Sequence, residues 1–360
     1  MKLQLYVLRQ LLLSLAFAVG GILFVALPGL AVNTVHRMPG ADALVLLRYI
    51  PIAVQTLSPY VLPVCFLLAV VATYGRLAAD REWTAIQMAG IRPIKLLAPP
   101  LAVGLLLSGG TYWMLCNQLP LLKTTQRQLL IEASTSILQN LRPGRTSVQL
   151  QDFQLDAQWM DPETGVLHEV FIRRPGTREE GNEGDRIDYH AKTARLAIEE
   201  GVLRATLTDL FQFHADREVA QSFHEWVEFE LPLDYLGERK ASERPRYKTS
   251  KEILRLLAAG AVEPRLLRSY HFELHYRGAL ASVFLLFLGL GAPTGLILRR
   301  GTQLGALAVS SGYALLVYVL NLRLSKDLGR GPVPPALAAW TPTLLGFVAS
   351  FFLLRRAMRR

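Results

Sequence analysis

Ala279-Leu-Ala-Ser-Val-Phe-Leu-Leu-Phe-Leu-Gly-Leu-Gly-Ala-Pro-Thr-Gly-Leu-Ile-Leu298 runs for 20 residues without a charged side chain, between Arg277 and Arg299-Arg300. An α-helix rises about 1.5 Å per residue, so about 20 apolar residues cross a hydrocarbon core about 30 Å thick. A helix that is apolar all round has no face to show to water. This stretch therefore reads as a membrane span. Five more runs read the same way: Leu11–Val32, Pro51–Tyr74, Leu96–Leu115, Leu304–Leu320 and Ala336–Leu354. None of the six contains Asp, Glu, Lys, Arg or His.

The rest of the composition fits a membrane chain. Of 360 residues, 51% are hydrophobic, and they cluster in the runs. The net charge of +10 comes largely from cations at the ends of those runs, such as Arg355, Arg356, Arg359 and Arg360. Cations placed there set topology, so nucleic acid is not the expected partner. The two cysteines, Cys65 and Cys116, are too few for a disulfide framework or a zinc site and read as small packing residues. The first run is longer than the apolar part of a signal peptide and no small-residue cleavage site follows, so it is expected to remain as a span.

Orientation follows from the short loops. With the N-terminus inside, twelve Lys and Arg residues fall on the cytoplasmic side and five on the outer side. Cytoplasmic loops carry the excess of cations. Both termini are therefore expected in the cytoplasm, and the long insert between the third and fourth spans outside it. Pro28, Pro59, Pro63, Pro99, Pro100 and Pro293, with Gly20-Gly21 and Gly109-Gly110, read as packing positions in a bundle whose helices can shift.

In the insert, from about Ser147 to Leu233, the helical pattern gives way to alternation. Phe223, Val227, Phe229 and Leu231 fall on one face, with His224, Glu228 and Glu230 on the other. Ile187, Tyr189 and Ala191 alternate likewise, Val166–Ile172 is a further strand candidate, and Thr177–Asp185 is a polar loop. Asp161-Pro162-Glu163-Thr164-Gly165 and Glu200-Gly201 are turn signals. Short strands at this spacing predict a sandwich, jelly roll or open barrel. Helices over Leu119–Leu141, Ser250–Leu257 and Glu263–Tyr276 are expected to join it to the membrane part. Ser250 and Glu252 resemble a helix start, with the capping spacing off by one.

Several chemistries are excluded. No Gly-x-x-x-x-Gly-Lys-Ser/Thr loop is present, so ATP hydrolysis by this chain is not expected. The serines in the spans have no histidine or lysine beside them to activate them, which counts against a protease. His271-Phe-Glu-Leu-His275 has its glutamate at the wrong offset for a zinc-protease motif and reads as a polar helix face. No cofactor or metal is expected. Ion-coupled transporters usually carry an ionisable residue at mid-bilayer, and these spans carry none, so the energy for transport would come from a partner.

The loop between the second and third spans reads Tyr74-Gly-Arg-Leu-Ala-Ala-Asp-Arg-Glu-Trp-Thr-Ala-Ile-Gln-Met-Ala-Gly-Ile-Arg92. Asp80 is expected to cap a short helix, with Trp83 and Ile86 on one face, Glu82 beside them and Gly90 at its end. Taken alone, this is a short amphipathic helix, or one that docks into a motor protein. Gly75-Arg76-Leu77, Asp80-Arg81-Glu82 and Ala89-Gly90-Ile91 resemble the LptF/LptG permease family, YjgP/YjgQ. Pro59 and Pro63 fit it as well, as do Glu273 to Arg300 with Arg277, Gly291-Ala-Pro293 and Arg299-Arg300-Gly301. The layout of three spans, a β insert and three spans matches throughout.

The resemblance implies a lipopolysaccharide exporter in the bacterial inner membrane. It implies a six-helix transmembrane bundle carrying an inserted periplasmic all-β, jellyroll-like domain. The divisions expected are 1–118 (spans one to three), 119–265 (β domain with flanking helices) and 266–360 (spans four to six). The implied partners are a cytoplasmic LptB-like ABC ATPase dimer, a paralogous permease, periplasmic LptC/LptA-like jellyroll proteins and the lipid itself. Asp80, Arg81, Glu82, Trp83, Ile86 and Gly90 would form the coupling helix, with Glu82 meeting the ATPase. Family members often carry a Lys or Arg in the outer half of the first span. Here Ala26 to Val32 is uncharged, and Arg37 beyond it is either the substitute or a solvated loop residue. Phe24, Leu27 and Tyr313 are the other lipid-facing candidates. The rival readings are a scaffold that transmits motion without moving a lipid, and a lipid-modifying membrane enzyme. The enzyme would need an acid, base or nucleophile cluster that the sequence lacks.

Overall fold

The computed structural model describes residues 2–37, 43–126, 128–129, 146–150, 153–161, 164, 166–174, 187–199, 202–214, 219–223, 227–232, 244–297 and 303–358. The loop Thr177–Asp185, the Glu200-Gly201 turn, His224, the Arg299-Arg300-Gly301 turn and most of the expected helix beyond Gln126 lie outside these residues. The chain divides into two compact units. One comprises Met1–Leu30, Ile52–Thr124 and Arg244–Arg360, and the other Ala31–Pro51 and Thr125–Glu243.

Among the described residues, six helical segments are long and apolar enough to cross a membrane: Lys2–Thr34, Leu47–Ala79, Ile94–Gln126, Pro264–Ile297, Ala308–Arg330 and Pro335–Ala357. The helices that form them are α1 (Lys2–Arg37), α2 (Ala43–Ala79), α4 (Ala98–Trp113), α6 and α7 (Pro264–Ala281, Val283–Ile297), α8 and α9 (Gln303–Val319, Ser325–Arg330) and α10 (Pro335–Met358). Among the described residues, two short α-helices lie outside the spans, α3 (Glu82–Met88) and α5 (Ser250–Ala258). The third and fifth spans each contain one π turn, Met114–Gln118 and Leu320–Leu324.

The fourth span is the most buried of the six and the first the least. Glycine explains how the fourth span is enclosed. A Cβ on Gly295 would lie 2.8 Å from the Gly75 nitrogen and 2.8 Å from the Val71 carbonyl oxygen. A Cβ on Gly291 would meet the side chains of Leu67 and Val70. Gly291-x-x-x-Gly295 thus lets α7 press onto the backbone of α2, the close approach that small residues four apart permit. Phe66 and Phe284 pack across the same contact with ring centroids 5.8 Å apart. Ser108 of α4 donates to the Ala281 carbonyl at 2.9 Å, tying the third span to the fourth.

The fifth helical stretch runs further than its apolar composition predicts. It continues through the π turn to Arg330, so Arg323 and Lys326 are helical rather than part of a loop. Asn321 is buried there. Its amide donates to the Val317 carbonyl at 2.9 Å and its oxygen accepts from Thr343 at 3.3 Å.

At α5 the cap is Thr249, not Ser250. Its hydroxyl accepts from the Glu252 N–H at 3.3 Å. Counted from Thr249, Glu252 stands three residues on, the regular capping-box interval.

The other unit holds a seven-stranded antiparallel sheet: β1 (Thr146–Leu150), β2 (Phe153–Met160), β3 (Leu167–Arg174), β4 (Ile187–Glu199), β5 (Val202–His214), β6 (Val219–Phe223) and β7 (Val227–Pro232). Pairing follows chain order from β1 to β6, and β7 returns to β5. β6 pairs residues 210–214 of β5 and β7 pairs residues 202–207, so the two share one edge of β5 end to end.

The core of the sheet breaks the simple alternation. Ala157, Val170, Ala191 and Leu210 form one buried row, and Leu167, Ala194 and Leu207 the next. Along β3, β4 and β5 these rows are three residues apart, whereas a regular pleat sends residues three apart to opposite faces. Glu169 (φ 50°) and Asp209 (φ 49°) lie between the rows in the left-handed region and re-aim the strands. Such a conformation costs roughly 1–2 kcal/mol per non-glycine residue.

Candidate functional site

The loop joining the second and third spans is organised by a left-handed residue at each end. At the close of α2 the Asp80 N–H still donates to the Arg76 carbonyl at 2.9 Å. Arg81 then takes φ 58° and turns the chain into α3. Arg81 is the residue before the first helical turn, and no side chain caps it. The expected cap at Asp80 is therefore corrected: Asp80 belongs to the last turn leaving α2, and the sharp turn falls after it. At the far end Gly90 takes φ 74°. Its N–H donates to the Gln87 carbonyl at 3.0 Å, and the Ile91 N–H donates to the Ile86 carbonyl at 3.3 Å. These two bonds are a Schellman closure, which favours glycine at that position.

One face of α3 is held by the spans. Trp83 is 7% exposed and meets Tyr74 edge-on, with ring centroids 6.2 Å apart. Tyr74 in turn donates to the Leu96 carbonyl at 2.8 Å. Trp83 shares a cluster with Val7 and Leu11 of α1, Leu77 and Ala78 of α2, and Phe284, Leu288 and Leu296 of α7, and Ile86 packs against that cluster. Glu82 accepts a hydrogen bond from the Tyr6 hydroxyl at 3.1 Å. One turn further along α1, the Gln10 carbonyl accepts from the Arg76 guanidinium, a contact that fixes how its amide is oriented. The tip of the loop is the opposite. Met88 is 84% exposed, and Ile91 and Ile94 are exposed beside Arg92 and Lys95.

This arrangement has no nucleophile or paired acid and base. It is a short helix with an apolar, cation-flanked tip, whose rear face touches α1 through Glu82 and α2 through Trp83. Displacing the tip would load α1 and α2 together.

The profile of the lipopolysaccharide export system permeases LptF/LptG matches residues 5–356. The chain belongs to this family. No curated protein matches it. The LptF/LptG match spans all six apolar helices and the sheet, so the chain is a multi-pass inner-membrane protein of a lipopolysaccharide transport permease family.

The remaining site candidates are not gathered into one place. Phe24 (82% exposed) and Leu27 project from α1, while Tyr313 packs against the bundle core around Phe287 and Val317. Arg37 is the last residue of α1 and its side chain lies outside the described residues.

Three features were missed in the sequence. Tyr6 and Gln10 carry a weak signal, since two polar residues four apart on an apolar helix share a face. Gly291 and Gly295 carry a stronger one in their four-residue spacing. Arg277 enters the sequence reading only through the resemblance, yet its side chain is 3% exposed. Its guanidinium donates to Glu273 (3.1 Å), the Ser250 hydroxyl (2.8 Å) and the carbonyls of Pro245 (3.1 Å) and Lys248 (2.9 Å). It thereby fastens the segment before α5 onto α6.

Proposed function

We propose that this chain is the permease subunit of an ABC-type lipopolysaccharide exporter, driven by a separate cytoplasmic ATPase dimer that seats on α3. The observation carrying this reading is the two-sided character of α3: a tip of Met88, Ile91 and Ile94 open to a partner, and a rear face held by Trp83 to α2 and by Glu82 to α1. In this reading both termini are cytoplasmic, consistent with the excess of Lys and Arg in the loops on that side. A second LptF/LptG-type permease covers the exposed apolar face of α1, and the lipid enters between the two. Residues 119–265 form a periplasmic jellyroll-like domain that passes the lipid to further jellyroll proteins through a sheet edge, the mode by which exposed edges recruit strands. The spans occupy 1–118 and 266–360.

Glu82→Arg tests the coupling role. It replaces the acceptor of Tyr6 with a cation near Arg76, on a half-exposed residue, so folding should survive. Export in cells depleted of the natural protein should be lost while the variant's abundance is unchanged. Normal lipid export by that variant would refute the role. Purification in mild detergent separates the rivals: a scaffold or lipid-modifying enzyme would emerge without an ATPase and a glycolipid together.

A further inference from the structure

The helix α1 is packed near its start and bare beyond it. Val7, Gln10 and Leu11 are buried, and their spacing puts them on one face of the first turns. From Leu12 to Gly29 no residue is buried. A Cβ added at Gly20, Gly21 or Gly29 would meet nothing within 4 Å. Two polar contacts lie in the packed part, one helical turn apart, and their supports differ. The Gln10 carbonyl accepts from Arg76 of α2. Arg76 follows Gly75, whose nitrogen stands 2.8 Å from where a Cβ on Gly295 would lie, so this contact rests where the backbones of α2 and α7 are pressed together. The Tyr6 hydroxyl donates to Glu82 of α3 at 3.1 Å. That support can rock, because α3 is seated by Trp83 against Tyr74 and its tip is exposed.

We propose that α1 is a lever with Gln10 at its fulcrum and Tyr6 at its loaded end, so that rocking of α3 about Trp83 swings the far half of the first span. At about 1.5 Å per residue, the short arm from Tyr6 to Gln10 is about 6 Å and the long arm from Gln10 to Val25 about 22 Å. A displacement of about 1 Å at Tyr6 therefore becomes about 4 Å at Val25, in the opposite direction. The motion goes to α1 rather than α2 because α2 is clamped by α7 and the long arm of α1 has no buried residue to hold it. Tyr6 and Gln10 are positioning residues, acting through α1. The inference rests on the reading of α3 as the seat of the ATPase and of α1 as a wall of the lipid entrance, and it names the contacts that convert one motion into the other.

The first test uses the full chain in lipid nanodiscs without any ATPase, so its failure is separate from failure of that reading. A spin label at Val25 or at Leu12 is paired with a reference label at Leu106 of α4 or Leu345 of α10, all four positions being exposed. Distances are read by double electron–electron resonance. Tyr6→Phe removes the loaded contact, and Gln10→Leu removes the acceptor for Arg76. Each should broaden the distribution at Val25 several-fold more than at Leu12. Gln10→Glu keeps an acceptor for Arg76 and should retain the natural width, a rescue that side-chain volume alone would not distinguish from leucine. Unchanged distributions, or equal broadening at the two positions, overturn the proposal. The second test adds the ATPase and a non-hydrolysable ATP analogue. The Val25 distance should shift in the natural chain and stay fixed in Tyr6→Phe with the ATPase still bound. A shift that persists in Tyr6→Phe overturns the lever, whereas absence of ATPase binding overturns the proposed function and the nanodisc result alone decides the lever.

Discussion

Gly295→Ala is the most informative single change in the bundle. One methyl group is added where α7 meets α2, 2.8 Å from the Gly75 nitrogen, 2.8 Å from the Val71 oxygen and 3.1 Å from the Tyr74 Cβ. The first two are backbone atoms, which cannot swing aside as a side-chain terminus would. Relief requires the two helices to separate by several tenths of an ångström, and overpacking of this kind costs about 1–3 kcal/mol. Alanine is also the better helix former by roughly 1 kcal/mol, which offsets part of the loss. The control is Gly20→Ala, where nothing lies within 4 Å of the new Cβ. It should be neutral or slightly stabilising. Thermal unfolding in one detergent, followed by fluorescence-detected gel filtration, compares the two. The Gly295 variant should melt several degrees below the natural chain and the Gly20 variant at or above it. Because Tyr74 adjoins the clash and supports Trp83, the Gly295 variant should also show faster proteolysis at the α3 loop. Equal melting of the two variants would refute the close-packing argument.

Trp83→Ala removes the ring that seats α3 on Tyr74. Truncating a buried aromatic costs about 3–5 kcal/mol, here concentrated on the loop. Limited proteolysis between Arg81 and Arg92 should accelerate while the bundle's melting temperature changes little. Arg277→Leu leaves Glu273, Ser250 and two carbonyls without their donor, and breaking a buried charged network costs about 3–5 kcal/mol. Hydrogen exchange should rise across residues 245–258. Thr249→Ala removes the α5 cap at about 1 kcal/mol, and Ser250→Ala should not reproduce its effect on exchange in α5.

The spans were legible because a bilayer imposes a length and a composition that nothing else in the chain imitates. The strands β3 and β4 were legible because residues on one of their faces are buried, and β7 because its apolar and polar residues alternate. What escaped was set by backbone conformation. Arg81 at φ 58° gives no compositional warning, since arginine is not a turn former, and it displaced the expected cap by one residue. Glu169 and Asp209 likewise look like outward positions of regular strands, and only the three-residue spacing of the buried rows betrays them. The shared face of Trp83 and Ile86 and the helix end at Gly90 follow from helical spacing, whereas their coupling role rests on the resemblance. The contacts of Glu82 to Tyr6 and of Arg76 to Gln10 join residues more than sixty positions apart, which no local pattern encodes.

The π turn at Leu320–Leu324 fixes more than local geometry. Each residue turns an α-helix by about 100°, and a π turn absorbs one residue beyond the α-helical count. Before it, Tyr318 looks toward the second span, donating to the Tyr60 carbonyl at 2.6 Å. After it, Gly329 lies under the Phe272 ring and its carbonyl accepts from Arg268 at 2.6 Å. Deleting one residue between them would restore a plain helix and swing one set of contacts about a quarter-turn away from the other. The span thus behaves as two helices phased independently, the upper meshed with α2 and the lower with α6, and the extra residue is the gear offset that lets both mesh at once.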